Sequence, residues 1–388
     1  MDLHHTVVHG RHRRRWNRRR LVLIGLGLAL LAVASVGVLL WPRGTASSAG
    51  REQAEPASRT TDSTPASRTP TAGPEPAAAA PAASAAEPAV GPAIATGKAP
   101  HDMAVSPDGR FGYIADPAAG AVIRFDTAAR RVTATIPIPE APPQLVTFAP
   151  DGKRAYVSAF DKDFTVNAVV TLDTATNSEL SAVPVGRGPY AAAVTPDGRR
   201  LYVPYYDEHH LDVLDTGSGK IVDRIPAAPC PHWVVFTHDG RFAYTTNHFS
   251  DVVTVLHLPE NTVVGTIPVG DGPHSLEMSP DGTRIAVVNY IGGDVSVIDT
   301  ASNAVVGTVP AVGKGPQDVT YAPDGRHFYT ANVDDGTVSV VDARTGAVTA
   351  RIPTGKSPTS VSVTPDGRRA YVTNFGDGTL LVLDTAPG

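Results

Sequence analysis

Seven side chains stand directly after a proline at a recurring place in the chain: His101, Gln144, Tyr190, His232, His274, Gln317 and Thr359. Their spacings are 43, 46, 42, 42, 43 and 42 residues, and none of the seven is aliphatic. Three are histidines, and neutral imidazole is a common ligand of divalent metals. The metal set they suggest is His101, His232 and His274, with Cys230 two residues before His232. The same polar set would equally line a channel filled with water.

A second group of chemistry-bearing residues sits in Tyr205-Tyr206-Asp207-Glu208-His209-His210. An aromatic pair beside acids and histidines could grip a peptide or a sugar, which makes Tyr205, Tyr206 and His209 candidates, with His248 in the equivalent loop one unit later. The insertion carrying Asp161, Lys162, Asp163 and Phe164 is expected to stand beside them. Asp116, Asn247, Asn289, Asn332 and Asn374 read mainly as turn residues. Glu277 stands as the one carboxylate in the middle of a first strand, and without a partner it is no acid–base pair. There is no Cys-x-x-Cys-His haem attachment, no phosphate-cradling glycine loop and no nucleophile elbow, so no catalytic residue is assigned.

The elements that must position these residues are short strands. Asp-Gly turns, such as Pro107-Asp108-Gly109, recur with their aspartates at 108, 151, 197, 239, 281, 324 and 366. From each of these to the aspartate ending the third strand is 18 residues, except in the second unit, where it is 22; His257 replaces that aspartate in the fourth. β-branched runs between Pro, Gly, Asp and Asn clusters are strands joined by tight turns. A period near 42 with four strands per unit predicts an all-β, seven-bladed propeller over residues 88–388. Tyr113, Tyr156, Tyr202, Tyr244, Tyr329 and Tyr371 recur at one depth, where they would fill the wedges between blades. The last unit lacks its fourth strand, and Pro88–Thr96 has the pattern to supply it, which would close the ring and remove its open edges.

Tyr371-Val372-Thr373-Asn374, with Pro365-Asp366-Gly367 before it and Val295-Ser296-Val297-Ile298-Asp299-Thr300 in the fifth unit, resembles the YVTN-repeat β-propellers. That group includes YncE-like envelope proteins and surface-layer propellers. The resemblance recurs in register over about 300 residues, and it implies a seven-bladed ring outside the cytoplasm. It carries no single activity, because fold does not fix function.

Residues 1–20 hold seven arginines and one acid, and residues 21–41, Leu21 to Trp41, carry no charge. Such a run spans a hydrocarbon core of about 30 Å as a helix, with the basic end inside. A retained signal-anchor is expected, with cleavage near Ser47-Ser48-Ala49 and secretion as the alternative. Residues 42–87 are rich in Pro, Ala, Ser and Thr and read as a disordered linker. Residues 88–388 carry 22 basic and 32 acidic side chains, a balance that disfavours nucleic-acid binding. The single cysteine excludes internal disulfides. The expectation is a membrane-anchored, extracytoplasmic binding module for an envelope protein, peptide or wall polymer, with its ligand at the channel face. The alternative is a metal-dependent lactonase- or lyase-like enzyme using the channel histidines and a divalent ion.

Overall fold

Strands in this chain are short because a glycine, proline or Asx turn interrupts each alternating run after about six residues. The computed structural model describes residues 80–387. These form 28 strands arranged as seven four-stranded antiparallel sheets, one per repeat. In the first blade the order from the channel outward is β2 (Asp102–Val105), β3 (Phe111–Asp116), β4 (Ala121–Asp126) and β5 (Arg131–Pro137). Every residue of β3 is buried, whereas most of β5 is open to solvent. The core therefore lies between the inner halves of neighbouring blades.

Ring closure is as the sequence suggests. The strand β1 (Ala89–Ala95) pairs with the final strand β28 (Thr379–Asp384), matching Val90 with Leu383 and Ala95 with Thr379. The recurring tyrosines are 0–5% exposed. Several reach across the wedge with their hydroxyls: Tyr113 donates to Asn177 Oδ1 (2.7 Å), Tyr244 to Asn303 Oδ1 (2.7 Å) and Tyr371 to the Thr127 carbonyl (2.9 Å). Each is a neutral hydrogen bond worth about 1 kcal/mol that also ties one blade to the next. The Tyr371 bond ties the last blade to the first.

Three local departures bear on the site. The fourth blade enters its Asp-Gly turn through His238 instead of proline. The innermost strand of the third blade shrinks to β10 (Ala193–Val194), because Ala191 forms a parallel bridge with Trp233 of the next blade. The linker boundary also moves. Residues expected to belong to a disordered tether are fastened to the sixth and seventh blades: Ala82 N donates to Asp366 O (2.8 Å), and Ala85 N to Thr385 O (2.7 Å). Ser84 is 7% exposed, with its backbone NH on Asp324 Oδ2 (2.6 Å) and its Oγ 2.7 Å from His327 Nδ1. The basic segment, the apolar run 21–41 and the linker up to residue 79 lie outside the described residues. Among the described residues no helix is long and apolar enough to cross a membrane.

Candidate functional site

The antiparallel order puts the loops entering each innermost strand, and those between second and third strands, on one face of the ring. All seven post-proline residues lie there, but they form a packed collar and not an open rim. Gln144, Tyr190, His232, His274, Gln317 and Thr359 are 0–7% exposed, and His101 is half-buried. His101 Nδ1 lies 2.9 Å from the Gln144 carbonyl, Gln144 Nε2 donates to Phe160 O (3.2 Å), and Thr359 Oγ1 donates to His101 O (2.6 Å). Of the two readings of their polarity, a ligand rim or a solvated lining, the burial matches neither in full: His101, Gln144 and Thr359 spend hydrogen bonds on the backbone within the collar.

The histidines divide. His232 and His274 stack with ring centroids 4.4 Å apart, and the third imidazole beside them is His248, at 5.0 and 5.6 Å. His101 instead keeps company with Phe375 (5.7 Å) and Gln317, whose Nε2 is 3.5 Å from its own Nε2. The expected His101–His232–His274 metal set is thus not gathered. Among the described residues no group of three or more His, Cys, Asp or Glu side chains is placed to hold a metal ion.

The structure brings together an aromatic arc over blades two to five. Tyr190 stands edge-on to His232 at 3.9 Å and lies 6.3 Å from Tyr206. Tyr206 meets Phe164 at 6.0 Å and Phe249 at 5.7 Å, and the arc continues through His248 to Tyr290 at 6.4 Å. Edge-to-face geometry at 4.5–7 Å is the favoured arrangement of such rings. Phe164, Phe249 and Tyr290 are half-buried on the loop tips, so each keeps part of its surface for a ligand.

Local chemistry explains each placement. In the second-blade insertion, Asp161 accepts from Thr165 N (2.6 Å) and Val166 N (2.9 Å), closing a turn in which Phe164 has φ 54°. Phe164 can lie on Tyr206 because Gly188 (φ 65°) sits beneath both; a Cβ there would meet Phe164 at 2.9 Å and Tyr206 at 3.1 Å. Cys230 is buried with φ 61° and links the third-blade loop to His248, whose NH donates to its carbonyl (3.0 Å). Burial pushes the Cys230 thiol well above its ordinary range, which suits packing and not nucleophilic chemistry.

Two other candidates change role. Tyr205 is fully buried, with its hydroxyl donating to Asp212 Oδ2 (2.8 Å), so it belongs to the blade wedge and faces no ligand. His209 is exposed on the loop tip, outside the arc. The loop carboxylate and amides are internal ties, as turn chemistry predicts: Asp116 accepts from Lys98 N (2.6 Å), Asn247 donates to Ala228 O (2.8 Å), and Asn374 accepts from Gly355 N (3.0 Å).

Two carboxylates were missed. Glu277 is not alone on a first strand, because Asp102 and Asp318 directly follow the collar residues His101 and Gln317. All three accept a backbone NH from the next blade: Asp102 from Val146 (2.9 Å), Glu277 from Tyr321 (3.1 Å) and Asp318 from Val361 (3.0 Å). Enclosure raises their pKa values, to about 6 for Asp102, about 7 for Asp318 and about 8 for Glu277. The signal that could have found them was a charged residue at an otherwise uncharged first-strand position.

Comparison with known proteins follows the fold. The family described as Cytochrome D1 heme domain matches residues 199–320, under half of the chain, a stretch that contains His232, His248 and His274. Among solved structures, Kuenenia stuttgartiensis Hydrazine Synthase is similar at 23% identity and a TM-score of 0.67, covering 75% of this chain and 96% of that one. No curated protein matches the chain. What these likenesses establish is the β-propeller.

Proposed function

We propose that this propeller is a binding module of the cell envelope, held by the apolar run 21–41, that takes a wall polymer, peptide or envelope protein on its loop face. The observation that carries the reading is the aromatic arc. Phe164, Phe249 and Tyr290 offer flat, partly exposed surfaces backed by a rigid core of rings. Such surfaces stack on sugar rings and on aromatic or proline side chains with little entropy to lose. The YVTN-type repeat and the acidic ring fit an extracytoplasmic role without nucleic acid.

The family match raises haem as a ligand. The chemistry of the donors fits, since imidazole is a common axial ligand. Their placement does not: His232, His248 and His274 are 0–1% exposed and capped by Tyr190, Tyr206 and Phe249, which leaves no face for a macrocycle. The metal-dependent enzyme reading is likewise not favoured by the divided histidines.

The test is titration of the purified protein with solubilised wall glycan strands and, separately, with peptides from envelope digests. Binding that weakens at least about tenfold in a Phe249→Ala, Tyr290→Ala variant supports the reading. Equal binding by that variant, or a haem-specific absorption band on adding haemin, sinks it.

A further inference from the structure

Below the collar the channel widens into a cavity of about 440 Å³ that extends to Pro107, in the first blade's Asp-Gly turn. It therefore runs from just beneath the collar, at Asp102 and Asp318, toward the face opposite the aromatic arc. Asp102, Glu277 and Asp318 line it, and no Lys, Arg or His does. Ser360, from the blade between those of Asp102 and Asp318, lines the cavity with them. Asp318 also raises the pKa of Glu277 through its charge.

Three enclosed carboxylates without a cationic partner are costly unless neutralised by protons or by a cation. A second feature points the same way. Ser275, at the position equivalent to Asp318, is fully buried, and its hydroxyl has no hydrogen-bond partner. Its counterparts in the other six blades, Asp102, Leu145, Ala191, Trp233, Asp318 and Ser360, all line the cavity, which puts Ser275 on the same ring. The apolar part of the wall comes from Met103, Leu145, Val234 and Leu276, with Trp233 beside it and the hydroxyls of Thr147, Ser158, Thr320 and Ser362 also lining the space. A cation–π contact with Trp is a recurring way to seat an ammonium group.

We propose that this cavity binds a small organic cation, an alkylamine whose ammonium group sits among Asp102, Glu277 and Asp318 while its chain lies along the apolar wall. Among the described residues no group of three or more His, Cys, Asp or Glu is placed to hold a metal ion, which favours an ammonium held by several separate contacts. The size falls within the range of small-molecule sites, about 300–1,000 Å³.

The experiment is calorimetric titration of the whole protein with n-pentylamine near pH 7.5, in two buffers of different ionisation enthalpy. Saturable binding at one site with buffer-dependent heat, reporting protons expelled from the carboxyls, is expected. Glu277→Gln and Asp318→Asn should each weaken it at least about tenfold. Ser362→Leu, which fills the cavity and keeps every carboxylate, should abolish it, and thermal unfolding of each variant verifies folding. Absence of saturable heat, unchanged affinity in Ser362→Leu, or calcium binding that pentylamine fails to displace would overturn the proposal. The loop-face reading is untouched by any of these outcomes.

Discussion

The two ends of the central channel bury polar groups by opposite means. At the loop end, His232, His248 and His274 are packed edge and face against tyrosines and one another. On the Asp-Gly side of the collar, Asp102, Glu277 and Asp318 are carboxyls whose ionisation burial opposes, each accepting a backbone NH from the adjacent blade. Packed rings contribute dispersion and burial, whereas enclosed carboxylates make stability depend on protons. The ring is therefore stiffened from one end and tunable from the other.

The most severe way to test the contrast is to hollow the loop end. Tyr190→Ala removes a ring that touches His232, His274, Tyr206 and Trp233. A loss of about 3–5 kcal/mol is expected in urea unfolding, the cost of deleting a core aromatic. A loss like that of an exposed loop substitution would mean that the arc is not a packed unit.

The Asp-Gly end should respond to pH in a definite direction. Folding raises the pKa of these carboxyls from 3.8 to about 6 and about 7 for Asp102 and Asp318, and from 4.5 to about 8 for Glu277. A group raised on folding stabilises fully below its unfolded pKa and loses that contribution as pH climbs through its folded value. Thermal stability should thus fall between about pH 5 and about pH 8, by a few kcal/mol. A flat profile would remove the distinction between the two ends. Sharpening it further, Glu277→Gln should gain about 1–2 kcal/mol near pH 8 and flatten the upper part of the slope, as expected when a buried charge is replaced by a neutral isostere.

The smallest effect belongs to a contact outside both ends. Ser84→Ala leaves the backbone bond to Asp324 but deletes the hydroxyl shared with Asp324 and His327. A cost of about 1 kcal/mol is expected by chemical denaturation. No cost at all would return residues 82–86 to the tether.

What was legible in the sequence is what repeats. The seven sheets, the tyrosine wedges and the pairing of β1 with β28 each follow from a pattern that recurs in register, where one unit interprets the next. The arc does not recur. It depends on Phe164, which a four-residue insertion supplies once, and on the angle at which blade two meets blade three. Asp102 and Asp318 were hidden beside more conspicuous collar residues. Ser84 was hidden by composition, because one buried hydroxyl in a run of alanines and prolines has no periodic signature. The metal set failed for a related reason: equal position in seven units places residues on a circle, where His232 and His274 adjoin while His101, three blades round, reaches Gln317 instead.

The clasp formed by Ser84 has a mechanical meaning. A tug transmitted along the polypeptide from before Ala80 reaches the bonds of Ala82, Ser84 and Ala85 to the sixth and seventh blades before it can load the ladder between β1 and β28. Those few bonds can fail and re-form while the circle stays shut. The molecule thus has a fuse at the point where strain enters, and the seam that keeps all seven blades together is the last thing to give.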